Sequence, residues 1–324
     1  MSEKIYVLHE NPEWFEPLEE AFQKIGVSYE DWTIIAGATD LEALPPEGVF
    51  FNRLSASSHT RDHRYAIEYA ETVLAWLERH QRRVINGRHT LTLEARKFDQ
   101  YAKLAAFGIA LPRTIAAVGE KALVQAARDL GQSPFIVKPN RGGKGLGVRL
   151  FQSIASLEKA IAEGAIEDCR SLDGVFLVQA YIQAKTPKII RAEFIGGKFH
   201  YAVEVDTSEG FELCPADVCE IDAAPVSGEF CMRDSGEEKF RILTDYDHPD
   251  IAKYEAFLTQ ERIDVAAIES IEAADGARYS YDINVNTNYN QGAEQKAETL
   301  KQGAYDRLAA YLANQLDSQM KQAA

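Results

Sequence analysis

Three stretches of the chain hold residue types in arrangements that can act on an anion. The first, FIVKPNRGGKGLGVRL over 135–150, sets Gly142, Gly143, Lys144, Gly145 and Gly147 between two apolar runs. Residues without a side chain let the backbone approach a ligand and turn its N–H groups toward it, which suits a phosphate cradle. Two familiar phosphate loops are excluded by residue order. A Walker A loop needs Lys-Ser/Thr directly after its last glycine, and here Val148 and Arg149 follow; a dinucleotide fingerprint needs a helix after the glycines, whereas VRLF reads as a strand. A glycine loop between two strands remains, either a plain flexible hairpin or a cradle. Lys138, at the end of the incoming strand, tilts the reading toward a triphosphate.

The second stretch is YSYDINVNTNYN over 279–290. On a strand, alternation puts Asp282, Asn284 and Asn286 on one face and Tyr281, Ile283 and Val285 on the other. A stripe of oxygen donors is either a solvated strand face or a seat for a hard cation such as Mg²⁺. A calcium loop is excluded, because Thr287 stands where that loop needs glycine and Ala293 where it needs glutamate. Glu269, on the preceding strand of the expected hairpin, would face Asp282 and complete a carboxylate pair. The third stretch, FNRLSASSHTRDHRY over 51–65, gathers Arg53, Arg61 and Arg64 with His59 and His63, and Asp62 is its only acid. It follows a predicted strand, at whose carboxyl end open α/β sheets bind ligands. Either these arginines pair with acids elsewhere or they receive an anionic substrate.

The background makes such local cations notable. The 324 residues carry 35 Lys and Arg against 50 Asp and Glu, a formal net charge of −15. That balance argues against nucleic-acid and anionic-membrane partners, which need clustered basic residues. With 46% hydrophobic residues, no apolar run of membrane-spanning length and no signal-peptide core, the chain reads as cytoplasmic. Four cysteines are too few for a disulfide framework, and Cys214, Cys219 and Cys231 lack the paired short spacings of a structural zinc site.

The elements that must position these residues are legible as periodicity. Strands are expected at 5–8 and 49–51, with helices over 12–25 and 62–80, the latter placing Ala66, Ile67, Ala70, Val73, Leu74 and Leu77 on one face. This predicts a parallel α/β layer. One helix is expected from Leu91 to Phe107, closed by Gly108, then a strand near 113–117 and a helix near 120–130. From 134 onward short strands at 135–139, 148–151, 175–182, 188–195 and 198–205 predict antiparallel pairing. The acidic stretch 206–246 has no clear period and reads as a long excursion facing the substrate. A helix at 249–260, strands at 264–272 and 278–286 and a final helix over 298–318 complete the pattern.

In this order the segments resemble the ATP-grasp superfamily, most closely its RimK-like carboxylate–amine ligases, over residues 48–318 apart from 206–246. The resemblance implies an α/β fold: an N-terminal parallel α/β (pre-ATP-grasp) domain over 1–92, then a two-subdomain ATP-grasp fold with antiparallel sheets. The small subdomain with its glycine flap would cover 93–176, and the C-terminal subdomain with the metal site 177–324. Lys97 and Lys138 match the two nucleotide lysines, and Gln179, Ala180 and Tyr181 in LVQAYI match the hinge that reads the adenine edge. Arg191 in KIIRAEF matches an arginine aimed at the phosphates, and Glu269, Asp282 and Asn284 match the Mg²⁺ ligands. The sequence departs from the pattern in three places, one of them Asp282 where the family usually has Glu. Ile189 stands where many relatives carry an acid for the ribose, and Thr287-Asn288-Tyr289-Asn290 replaces a proline turn. The implied activity is an ATP-dependent, ADP-forming ligase that joins a carboxylate to an amine, amino acid or peptide, through an acyl phosphate. Arg53 is then the candidate for holding the anionic substrate. A silent nucleotide-binding module and a small-molecule kinase on the same fold stand as alternatives, and a homo-oligomer is left open.

Overall fold

The computed structural model describes residues 3–143, 145–208 and 239–323. Lys144, Cys214, Cys219 and Cys231 lie outside the described residues, as does most of the 206–246 excursion.

The N-terminal layer is the parallel sheet that the periodicity predicts. It contains β1 (Lys4–His9), α1 (Pro12–Ile25), β2 (Tyr29–Thr33), β3 (Gly48–Asn52), α2 (Ala66–Arg79) and β4 (Arg83–Ile85), with strand order β2-β1-β3-β4. β2 and β4 were not predicted; YEDWT is polar and half exposed, and β4 has only three residues, so neither carries an apolar alternation. The predicted face of α2 is buried, with Trp76 added to it.

The expected helix over 91–107 is two helices, α3 (Arg88–Ala95) and α4 (Lys97–Ala106), with Arg96 extended between them at φ −136° and ψ 98°. The break has a visible cause. Asn140 accepts the Lys97 N–H with its carbonyl at 3.0 Å and the Phe98 N–H with its Oδ1 at 2.9 Å, satisfying two of the donors that a helix start leaves open. Next come β5 (Thr114–Val118), α5 (Glu120–Leu130), β6 (Phe135–Pro139), β7 (Arg149–Phe151), α6 (Ile154–Ala162) and β8 (Val175–Ala180), an antiparallel sheet ordered β5-β8-β6-β7. The glycine stretch joins β6 to β7, as expected.

The remaining chain forms β9 (Lys188–Ile195), β10 (Lys198–Asp206), β11 (Phe240–Leu243), α7 (Pro249–Glu261), β12 (Val265–Glu272), β13 (Arg278–Asn284), α8 (Gln291–Lys296) and α9 (Ala304–Ala323). Its five strands are antiparallel in the order β11-β10-β9-β12-β13. α9 starts six residues later than predicted. It packs on α1, β3 and β9, so that Phe15, Phe22 and Val49 share one core with Val203, Val265, Leu308 and Leu312.

One buried side chain adds polar links between the first sheet and the third to the core they share. Asn86, fully buried after β4 in a left-handed conformation that asparagine tolerates, accepts the Asp264 and Val265 N–H groups and donates to the Val265 and Val285 carbonyls. Replacing it with alanine strands several buried backbone groups. We expect Asn86→Ala to lose on the order of 2–4 kcal/mol in urea unfolding. A loss below about 0.5 kcal/mol would show that these hydrogen bonds add nothing to the core the two sheets share.

Candidate active site

Strand register builds the centre of the site. Arg191 on β9 lies opposite Glu269 on β12, and Glu269 lies opposite Asp282 on β13. A row across three strands thus carries one cation and two carboxylates. Arg191 donates from Nη1 to Glu269 Oε1 at 3.0 Å, from Nε to Glu193 Oε1 at 2.6 Å and from Nη2 to Thr287 Oγ1 at 2.5 Å. Thr287 Oγ1 in turn donates to Glu193 Oε2 at 2.8 Å. Lys97 closes the other end of the row, with Nζ 2.5 Å from Asp282 Oδ1. The ladder slips between Glu269 and Ser270, making Tyr281 the extra residue of a β-bulge. For that reason Tyr281 does not face away from Asp282 as simple alternation predicts; both line the same cavity, while Val285 enters the core.

That cavity, of about 500 Å³, is lined by residues of the two antiparallel sheets and by Trp14, Ser55 and Ser57 of the N-terminal layer. Ile136, Val148, Ile189 and Ile271 form an apolar wall beside Gln179, Ala180 and Tyr181. Lys97, Lys138 and Arg191 enter it together with Gly142, Gly143 and Gly145. Burial and the adjacent Lys97 ammonium push Lys138 down to about 7, against the pull of Asp282 and Glu269. Its ammonium makes no ion pair among the described residues and lies 5.3 Å from the centre of the Tyr101 ring. Lys97 behaves oppositely: burial would lower it, but Asp282 raises it above its ordinary value. Burial raises the carboxyl groups of Glu269, Glu193 and Glu94.

The residues expected to hold Mg²⁺ fit that ion. Among the described residues no three His, Cys, Asp or Glu side chains converge, so the donor set is two carboxylates and one amide. Asn284 Oδ1 is buried with no hydrogen-bond partner, an acceptor short of a ligand. Mg²⁺ is commonly held by one or two carboxylates with phosphate oxygens completing its shell.

Among the described residues, two of those predicted for the site do not line the cavity. Gly147 has φ +72°, and a Cβ there would collide with the Asp168 carbonyl, so it shapes the flap's return. Arg53 is 3% exposed and sits behind the cavity wall. The arginine cluster around it disperses onto acids that the local sequence did not contain: Arg61 and His63 onto buried Glu10. Arg141, next to the flap, pairs with Glu68 of α2 at 2.6 Å. Sequence reasoning missed Trp14, Ser55, Ser57, Glu94 and Asn288, all of which line the cavity. Glu193 was available, because it follows Arg191 by two residues on one strand and so shares its face. Trp14 lies far off in sequence and carries no local signal.

No protein-family model matches the chain. It is 31% identical over 142 residues to a "Probable alpha-L-glutamate ligase" of Xanthomonas euvesicatoria pv. vesicatoria, a match covering 44% of this chain and 46% of that one. The chain spans about half the length of the curated relatives it matches. Among solved structures it is similar to a RimK domain protein ATP-grasp from Sphaerobacter thermophilus, with a TM-score of 0.64 and 16% identity over 95% of this chain and 98% of the other. It is also similar to the ATP-grasp ligase PsnB complexed with minimal precursor, Mg and ADP, with a TM-score of 0.62 and 14% identity over 98% of this chain and 99% of that one. The fold is therefore the ATP-grasp fold. Within it the likeness is to RimK-like proteins, as the order of motifs implies.

An unpaired ammonium at about 7 must regain its proton when a polyanion settles beside it. Mg·ADP affinity should therefore be flat just below pH 7 and fall by up to roughly tenfold per unit above it. Calorimetry at pH 8 in buffers of different ionisation enthalpy should record uptake of up to one proton, abolished in Lys138→Met. Proton-neutral binding by the wild type at pH 8 would separate Lys138 from the phosphates.

Proposed function

We propose that the protein is an ATP-dependent, ADP-forming ligase that joins a carboxylate to an amine through an acyl phosphate. The observation that carries this reading is the row of Arg191, Glu269 and Asp282 beside an unpaired, buried Lys138, under a glycine flap in one cavity. A carboxylate and an amine do not condense in water, so the acid must first be activated. Transfer of the γ-phosphoryl group to the carboxylate oxygen gives acyl phosphate and ADP. Attack of the amine nitrogen on the acyl carbon then expels phosphate and releases a proton.

In such a transfer the protein's work is positioning and neutralising charge. Lys97 and Lys138 hold the α- and β-phosphates, and Gln179, Ala180 and Tyr181 border the nucleotide base on the apolar wall. Glu269, Asp282 and Asn284 hold Mg²⁺, which when bound neutralises the phosphate oxygens. Arg191 meets charge on the transferred group, held in orientation by Glu193 and Thr287. Gly142, Gly143 and Gly145 let the flap backbone approach the phosphates and exclude water from the acyl phosphate. Ser57 lies directly against Gly143, where an added Cβ would come within 3.1 Å of the Ser57 Cβ, so a larger residue at position 143 would crowd Ser57 at the cavity wall. The substrates are a small anionic acid and an amine, as amino acid or peptide, in a cytoplasmic protein supplied with ATP. L-Glutamate, the amino acid in the name of the relatives, contains both groups and is the first compound to test in either role.

Hydroxylamine supplied as the amine should trap the acyl phosphate as a hydroxamate, with ATP, Mg²⁺ and the right acid all required. Asp282→Asn keeps the shape and removes an anionic ligand, so hydroxamate formation should fall by at least roughly a hundredfold. Turnover giving ADP and a stable phosphorylated hydroxyl or amine, with no hydroxamate, would make the protein a kinase instead.

A further inference from the structure

Arg53 is the anomaly of the site. Its guanidinium is buried in a protein carrying 50 acids, yet it makes no ion pair among the described residues. Its donors go to neutral oxygens: Nη1 to the Trp14 carbonyl at 2.7 Å, Nε to Asn286 Oδ1 at 3.2 Å and Nη2 to Asn288 Oδ1 at 2.9 Å. A buried cation without a counterion is costly, and a nearby carboxylate would relieve it at once.

The two asparagines turn that cost into geometry. A guanidinium has donors and no acceptor, so each side-chain amide must give Arg53 its oxygen and turn its NH₂ away. Both side chains line the cavity and are about nine-tenths buried or more, at 5% and 6% exposed. Neither amide nitrogen has a partner among the described residues, and neither belongs to the sealed, unsatisfied polar atoms of the interior. Between them Thr287 bonds Arg191, so the pair flanks the residue that orients the transfer site. The acids nearest this turn are engaged elsewhere: Glu193 with Arg191 and Thr287, Glu94 with the Ala56 and Val285 N–H groups.

We propose that Asn286 and Asn288, polarised by Arg53 behind them, are the receptor for a carboxylate of the amino-acid substrate, one that is held and not consumed. Two neutral NH₂ groups donate to the carboxylate oxygens while the charge that balances it lies one layer deeper. This replaces direct contact by Arg53, which the cavity wall prevents. The proposal rests on the ligase reading for the role of the neighbouring transfer site.

The test exploits a sign difference. Asn286→Asp and Asn288→Asp preserve shape and give Arg53 its missing counterion, so both variants should melt no lower than the wild type. The same changes put an anion where the substrate's carboxylate belongs. With Mg·AMPPNP bound, calorimetry on the wild type should detect L-glutamate, with isoglutamine or L-glutamine weaker by at least about tenfold. Each variant should weaken L-glutamate by a similar factor or more while holding Mg·AMPPNP within about threefold. Unchanged L-glutamate binding in both variants would overturn the proposal. So would a wild type that binds Mg·AMPPNP but none of L-glutamate, L-aspartate, L-alanine or succinate at millimolar concentration. Failure of the wild type to bind Mg·AMPPNP would instead sink the ligase reading.

Discussion

The cost of burying charge organises this molecule. Arg191, Glu193 and Glu269 are each less than a tenth exposed, and carboxylates and guanidinium groups enter a protein interior only when partners replace their water. The interleaving of the cations Lys97 and Arg191 with the carboxylates Asp282, Glu269 and Glu193 meets that condition, and it constrains the backbone. β9, β12 and β13 must pair in one register for the row to exist. α4 must begin at Lys97, which puts an ammonium at a helix start where the macrodipole is unfavourable. Asp282 at 2.5 Å compensates both the dipole and the burial.

Local field and net charge point in opposite directions here. At −15 the molecule as a whole repels polyanions, so attraction has to be generated inside the cavity. Lys138 and Arg53 are suited to this because neither is neutralised by an acid within hydrogen-bonding distance. They differ in how they sit. Lys138 lines the cavity directly, and its proton is loosened by burial. Arg53 stays charged behind two amides, because a guanidinium holds its proton through any ordinary burial.

The parts of this arrangement legible in the sequence were those carried by short-range periodicity. Asp282, Asn284 and Glu269 announced themselves through alternation and a hairpin, and the glycine flap through its composition between two strands. The bulge at Tyr281 was invisible, because one inserted residue leaves the alternation of the strand intact on either side of it. The break before Lys97 was also hidden: residues 91–107 have continuous helical character, and the cap comes from Asn140, more than forty positions away. The arginine cluster misled for the same reason. Arg61 and His63 meet Glu10, which lies just after β1 and more than fifty positions away, so that proximity in sequence overstated their freedom.

The distribution of cores bears on how such a cavity admits a nucleotide. Phe135, Val137, Phe176, Leu123 and Leu157 form an apolar cluster made only of residues between 117 and 180, within the sheet that carries the flap. The first and third sheets instead share a core through α9. What ties the flap sheet to the rest is largely polar: the Asn140 cap on α4, the Arg141–Glu68 pair and the Lys185–Glu272 pair. Hydrogen bonds of this kind are exchanged for bonds to water at small net cost, whereas separating a packed apolar core is not. Opening along this boundary leaves every apolar cluster whole, and the row of charges stays intact on the immobile side. The flap layer is thus the element the fold can move, and the row of charges is the element it holds in place.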